Sequence, residues 1–433
     1  MLYCGRIGFG IEGVKAMGER VAVIGGGVAG LTAAYLLRDK YEVTLFEKDG
    51  RLGGNAHTIS TSDGLSFDIA AAVFGKNSYA NFHRLLKELN VETCSFNGGG
   101  VTWRNLDSKE TDGIAWTWRG LKAQRFAMFS PGTFYAILRS FVNMHRGKRY
   151  FEEGKLEGLS MREALKLLPP FDRDALRLHL FVLCLVSSMY YEDVMEGPAS
   201  YFFGKMIAHR DFFLNPVFGL FQAAGNTKSY VDALASKSGA KVMMNSRIKS
   251  VARPETGPVL KMDDGSGERF GKVIFACNAD QALRLLEQPT TDERRLLGAW
   301  KYQDGPIVVH KDRSSFPEQE RYCLFTFLYT ERDGKTHTSV NGHIRNLKSV
   351  PDDCPYISSQ HPNFPIADNL IEYRKVFRTP IYDRASAAAI KELPSLNGKL
   401  NTFYCGSHFG FGLHEDCVNS AAAVAKMLGA EWK

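Results

Sequence analysis

Arg20-Val-Ala-Val-Ile24-Gly25-Gly-Gly27-Val28-Ala29-Gly30-Leu-Thr-Ala-Ala-Tyr-Leu-Leu37 decides the fold class. Its first five residues form an apolar run of the kind that fills a buried strand. The glycines then break the pattern, and the run after Gly30 has the composition of a buried helix. Tyr41-Glu-Val-Thr-Leu-Phe46 follows as a second strand ending at Glu47. Strand, glycine turn, helix and strand together make a parallel crossover unit, so the chain is α/β at this end.

The spacing of Gly25, Gly27 and Gly30 suits a dinucleotide site. The first glycine permits the tight turn, the second allows close approach to a pyrophosphate, and the third lets helix and strand pack. The helix N-terminus at Val28 and Ala29 then faces negative charge. Glu47, about 20 residues on, is placed to accept ribose hydroxyls and would repel a 2′-phosphate, which disfavours NADP. Gly8, Gly10 and Gly13 repeat the spacing without a strand before them or a helix after them, and are read as a decoy. The next segment, Lys48-Asp-Gly-Arg51-Leu52-Gly53-Gly54, sets a cation and a glycine pair directly after the ribose carboxylate. That arrangement offers a second grip on the pyrophosphate, as a long cofactor such as FAD requires, although a surface turn has the same composition.

The whole chain has 433 residues, 44% hydrophobic and 23% charged, which supports two to three folded units at roughly 150 residues each. Its net charge is 54 − 47 = +7, too mild for a nucleic-acid signature. Eight cysteines without CxxC spacing, and no zinc-type His cluster, argue against a metal site and for reduced thiols in a cytosolic-type compartment. Residues 1–19 read as an N-terminal extension, not a leader. No run reaches the roughly 20 apolar residues of a membrane span.

Farther on, Asn81 to Leu89 reads as a helix, Thr102 to Trp118 as antiparallel strands, and Leu121 to Leu234 as mostly helix. Strand character returns over Lys241–Val251, Gly257–Met262 and Val273–Ala276. A mixed region from Leu286 to Leu393 includes strands near Tyr322–Tyr329 and His337–Val340 and a Pro-rich loop from Val350 to Pro365. Leu400–Cys405 reads as a strand, followed by a glycine-laden loop and a helix over Cys417–Leu428.

With these motifs the chain resembles the FAD-binding amine oxidase and phytoene desaturase superfamily. Phe403-Tyr-Cys-Gly406-Ser-His-Phe-Gly-Phe-Gly412-Leu413-His414-Glu415-Asp416 is similar to its closing flavin motif. Ala279–Leu286 and Val308–Asp312 look closest to a largely uncharacterised subgroup associated with modifying fatty acyl chains. The resemblance implies a Rossmann-like FAD domain of the amine oxidase type with an inserted α+β substrate domain. The FAD domain would be assembled from 20–75, 222–285 and 396–433, and the substrate domain from 76–221 and 286–395. It further implies adenine contact near Ile248 and Val251, and a final helix aimed at the flavin. The family's Asp-x-Gly-Gly segment stands here as Asp68-Ile-Ala70-Ala71-Ala72-Val73, which puts close packing of Ala72 and Val73 on the ring in question. The lysine that many amine oxidases hold near the flavin falls at Ile307 or Val308, which weakens an amine oxidase reading.

Flavin carries its own redox chemistry, so few protein groups are needed. His414 and Glu415 are candidates for proton transfer at the ring; the alternative is that they cap the last helix. His310 with Asp312 is an orienting pair or a structural one. Residues 114–151 carry seven Lys and Arg, no Asp or Glu, and interleaved aromatics. That stretch suits peripheral contact with an anionic membrane, or a solvated basic face. The apolar stock around Phe181–Tyr191 and Tyr201–Phe221 suits a lipid pocket or plain core. The expected function is FAD-dependent oxidoreduction of a fatty acyl or isoprenoid chain by a desaturase, saturase or isomerase. An oxygen-using amine oxidase and a non-catalytic flavin-containing lipid-binding partner are the alternatives.

Overall fold

The computed structural model describes residues 19–95, 100–115, 131–168, 176–213, 219–316 and 323–432. Gly8–Gly13 and the segment 116–130 lie outside the described residues.

Strand β1 (Arg20–Ile24), helix α1 (Val28–Leu37) and strand β2 (Glu42–Phe46) form the expected crossover. The hairpin β3 (His57–Ser60) and β4 (Ser66–Ala70) follows, then β5 (Phe74–Gly75), α2 (Ala80–Glu88), β6 (Thr93–Ser95), β7 (Gly100–Asn105) and β8 (Thr111–Ala115). The helical middle comprises α3 (Pro131–Glu152), α4 (Met161–Leu165), α5 (Arg177–Ser187), α6 (Tyr191–Glu196), α7 (Ala199–Ala208) and α8 (Arg210–Phe213). Next come β9 (Leu220–Ala223), α9 (Asn226–Lys237), β10 (Lys241–Met243), β11 (Ile248–Ala252), β12 (Val259–Met262), β13 (Gly267–Arg269) and β14 (Lys272–Phe275). The last third holds α10 (Ala279–Leu285), α11 (Thr291–Gly298), β15 (Lys301–His310), β16 (Phe325–Arg332), β17 (Lys335–His343), β18 (Ile357–Gln360), β19 (Ile371–Ile381), α12 (Arg384–Ile390), β20 (Thr402–Tyr404) and α13 (His414–Met427).

A parallel sheet in the order β10-β2-β1-β14-β20 draws its strands from 20–75, 222–285 and 396–433. Val21, Ala22 and Val23 are fully buried, as a strand covered on both faces requires. Every residue of α1 is buried, because the sheet lies beneath it and α9 and α13 flank it. Antiparallel β11-β12-β13 lies outside this sheet. The second large sheet runs β19-β15-β18-β17-β16-β7-β8, with only β7 and β16 parallel. Phe181 of α5 stacks on Phe327 at 5.4 Å, joining the helices to that sheet.

Three expectations need correction. The Pro-rich stretch 350–365 contains β18, a buried strand between β15 and β17. Four residues with no apolar alternation give no periodic signal; register with its neighbours makes the strand. Strand β19 was hidden for another reason: Glu372, Arg374, Lys375, Arg378 and Pro380 belong to a sheet edge, where charge and a missing N–H are tolerated. Finally, α13 starts at His414, three residues early, because the Asp416 carboxylate accepts the Leu413 N–H and closes the first turn. His414 and Glu415 are therefore helical, not part of the loop.

Candidate functional site

The glycine turn is shaped by contacts that no side chain could share. Gly25 has φ +113°, and a Cβ there would lie 2.6 Å from the Ala276 carbonyl oxygen. A Cβ on Gly30 would come within 2.0 Å of the Gly25 carbonyl, so this glycine sets helix-strand packing and does not line the site. Gly27 instead borders open space: the nearest atom to its would-be Cβ is the Gly54 Cα, at 3.9 Å. The N-cap residue Gly27 offers no side-chain cap to the amides at the start of α1, and no acidic residue occupies its first turn. The Gly53 amide donates to the Gly26 carbonyl at 2.8 Å, which seats the second glycine pair on the first turn.

Glu47 emerges from β2 with its carboxylate braced by the Gly26 amide at 2.8 Å and the Asp49 amide at 2.9 Å. Arg51 donates to the carbonyls of Leu52, Gly54 and Ala56, so its guanidinium shapes the loop while still lining the cleft. Leu52 turns inward onto Gly26. On the far side Ile248 lines the cleft with Ser246 and Arg247, whereas Val251 is fully buried behind it.

The Asp68 carboxylate accepts from the Thr58 hydroxyl at 2.6 Å, the Thr227 amide at 3.0 Å and the Thr227 hydroxyl at 2.8 Å. These bonds pin the Ala70–Val73 loop to the start of α9. All four loop residues face the cleft, and Ala71 takes φ +57°, the conformation a glycine adopts more easily.

At the other end of the chain Gly412 has φ +85°, and a Cβ would strike the Tyr382 hydroxyl at 1.9 Å. Gly406, Gly412, Leu413 and His414 line the same cleft as Gly25 and Glu47. His414 Nε2 lies 2.9 Å from the Tyr230 hydroxyl, and burial lowers the imidazole to about 4, which leaves it neutral near pH 7. Glu415 does not line the cleft; its carboxylate accepts the Asn81 and Phe82 amides and caps α2. That geometry favours bracing over proton transfer. His310 Nε2 bonds Ser359 Oγ at 2.7 Å, and Asp312 accepts the Ser314 and Ala367 amides, so this pair is structural and away from the cleft.

The cleft measures about 1310 Å³ and continues from the glycine turn to the second sheet. There Ile307, Leu324, Phe325, Val340, Ile344 and Phe377 supply apolar surface, with His343 and Gln360 among them. These residues carry no motif, and apart from Ile307 no local pattern marks them. Burial depresses the His343 imidazole to about 3, and Thr326 holds its Nε2 at 2.9 Å. Behind the wall, fully buried Lys205 donates to the Val186 carbonyl at 3.0 Å and the Ser187 hydroxyl at 2.9 Å. Desolvation brings its ammonium down to about 7, against the pull of Asp416.

Residues 28–322 match the family model described as flavin containing amine oxidoreductase. The chain belongs to that family. Among curated relatives, this flavin amine oxidoreductase is 26% identical over 246 residues to the FAD-dependent oxidoreductase dpchF of Colletotrichum higginsianum, covering 54% of this chain and 48% of that protein. It is 25% identical over 304 residues to a carotenoid 3,4-desaturase of Haloarcula japonica, covering 61% and 56%. A 62-residue stretch is 49% identical to protoporphyrinogen oxidase 2 of Arabidopsis thaliana, 14% of this chain and 12% of that one. The chain thus spans about half or less of these relatives' lengths. Among solved structures, a fatty acid isomerase from P. acnes aligns at TM-score 0.65 and 16% identity over 95% of this chain and 99% of that one. A putrescine oxidase aligns at TM-score 0.66 and 12% identity over 96% and 100%. These likenesses establish the fold.

The residues present fit FAD. The start of α1, where glycine stands at the N-cap and no acid in the first turn, and the open space before Gly27 suit the pyrophosphate, and Glu47 suits the ribose. Val28, Ala29, Lys48, Arg51, Gly53 and Gly54 surround that end, while Ala72, Val73, Gly406 and Leu413 extend the cradle.

Proposed function

We propose that this flavoprotein is a desaturase, saturase or double-bond isomerase of a fatty acyl or isoprenoid chain. The observation that carries the reading is the wall of the second half of the cleft, where Ile307 faces inward, Ile307 and Val308 being the two positions at which the amine oxidase resemblance calls for a lysine. Bound FAD supplies hydride transfer to or from a carbon of the chain. The protein's share is to extend the hydrocarbon along Leu324, Phe325, Val340 and Phe377 and to exclude water. The start of α13, at Leu413 and His414, borders the cleft, and its N-terminus would favour the negative charge that a bound flavin gains on reduction. The names of the fatty acid isomerase and the carotenoid desaturase agree with this substrate class. Peripheral contact with an anionic membrane belongs to the same reading.

The test is anaerobic incubation of yellow holoprotein with linoleate or a carotenoid in detergent, and separately with putrescine. Visible absorbance reports flavin reduction, and mass spectrometry reports double-bond position. Bleaching or bond migration with lipid alone is the expected result. Bleaching with amine alone makes the protein an amine oxidase, and silence toward both leaves a flavin-containing lipid-binding partner.

A further inference from the structure

Helix α3 presents an apolar face to solvent. Phe134, Tyr135, Leu138, Phe141 and Val142 are 59, 49, 51, 51 and 39% exposed. Their spacing of one, four, seven and eight places them along one side of two helical turns, about 12 Å of axis. The opposite side is the packed one: Asn143 and Met144 are buried, and Gly147 sits so close to Phe203 of α7 that a Cβ would overlap its ring. A run of large exposed aromatics on a helix that has already buried its other face marks a surface made for an apolar partner.

The same exposed side turns basic toward its C-terminal end, at His145, Lys148 and Arg149. Lys148 and Arg149 reach Glu152 and Glu153 only at 3.6 Å, in pairs whose side chains are all at least 41% exposed. Such exposed pairs are weak, so Lys148 and Arg149 can leave Glu152 and Glu153 for other anions. Between Ile114 and Phe151 the chain has seven Lys and Arg and no acid. Apolar residues at one end of a helix face and cations at the other match the boundary between acyl chains and anionic headgroups. No helix among the described residues is long and apolar enough to cross a bilayer. Phe151 of α3 and Phe411 of the loop before α13 both abut Gly204, with ring atoms 3.3–3.4 Å from its would-be Cβ. The C-terminal end of the helix therefore packs near the loop that leads to Gly412 on the cleft.

We infer that the Phe134–Val142 face of α3 docks this protein on an anionic lipid bilayer, its aromatic end entering the headgroup layer and its Lys148–Arg149 end holding the phosphates. The choice of partner rests on the lipid-substrate reading, but the contact is measurable without turnover.

Holoprotein is sedimented with vesicles of phosphatidylcholine plus phosphatidylglycerol and with vesicles of phosphatidylcholine alone, at low salt. The variants are Phe134→Ser/Leu138→Ser/Phe141→Ser and Lys148→Glu/Arg149→Glu; retained flavin absorbance certifies their fold. Binding to the anionic vesicles should fall at least about tenfold in the serine variant and about fivefold or more in the charge variant. Absence of wild-type binding, equal binding to both vesicle types, or undiminished binding of the serine variant overturns the inference. So does a wild-type dimer that the serine variant dissolves without any vesicle binding, which would assign the face to a second copy. Turnover in detergent reads the enzymatic proposal separately: binding without turnover leaves the docking surface standing.

Discussion

The Glu415 carboxylate accepts the Phe82 amide at 2.8 Å, so the first turn of the last helix caps the first turn of a helix more than 300 positions earlier. With the Asn81 amide on its other oxygen, Glu415 satisfies two of the orphan donors of α2 and ties the start of α13 to that helix. Glu415→Ala should cost about 1–2 kcal/mol of stability. Its flavin-reduction rate should stay within about twofold of wild type, because the lost bond holds a helix and not a reacting atom. Denaturant unfolding and single-turnover absorbance check the two halves; a large rate loss with unchanged stability would return Glu415 to the chemistry.

Gly27 and Gly30 should fail differently. Gly27 has φ −76° and its nearest neighbour stands at 3.9 Å, so Gly27→Ala should fold normally yet lose FAD affinity by at least about tenfold, because the new methyl occupies space before α1. In Gly30→Ala the methyl meets the Gly25 carbonyl at 2.0 Å, and stability should fall by about 2–3 kcal/mol or more whether or not FAD is present. Titration of the stripped proteins with FAD, beside thermal unfolding, separates the outcomes.

Ala71 stands in the left-handed region, at a position where the resemblance calls for glycine. Ala71→Gly should stabilise the apoprotein by about 1 kcal/mol by removing the Cβ clash, net of the entropy glycine adds to the unfolded chain. FAD affinity should be kept. Denaturant midpoints of the two apoproteins read it.

The nucleotide half was legible because its signals are local and sterically forced: Gly25 to Gly30, Glu47 and Gly53-Gly54 sit within one crossover. The apolar half of the cleft was not, because Val340, Gln360 and Phe377 meet only after antiparallel registers are set. His414 shows the boundary between the two. Its place beside the cleft followed from the closing motif, but its partner Tyr230 lies 184 positions away, and nothing local announces that bond.

Lys205 was equally invisible, being one charged residue in an apolar helix, and it is the group through which the cleft wall should sense pH. Its amine caps the end of α5 by holding the Val186 carbonyl and the Ser187 hydroxyl. Desolvation places it at about 7 in the folded protein, whereas in the unfolded chain it titrates near its ordinary 10.5. Between those values the unfolded chain holds more protons, so Lys205 makes stability rise as pH increases from about 7 toward 10.5; below pH 7 both states are charged and this slope vanishes. Lys205→Met, which keeps the volume and drops the charge, should flatten that rise while losing the two hydrogen bonds at every pH. Denaturant unfolding of wild type and variant from pH 6 to pH 10 measures the difference. A variant curve parallel to wild type throughout would mean that the buried amine keeps its proton through this range, with Asp416 outweighing desolvation.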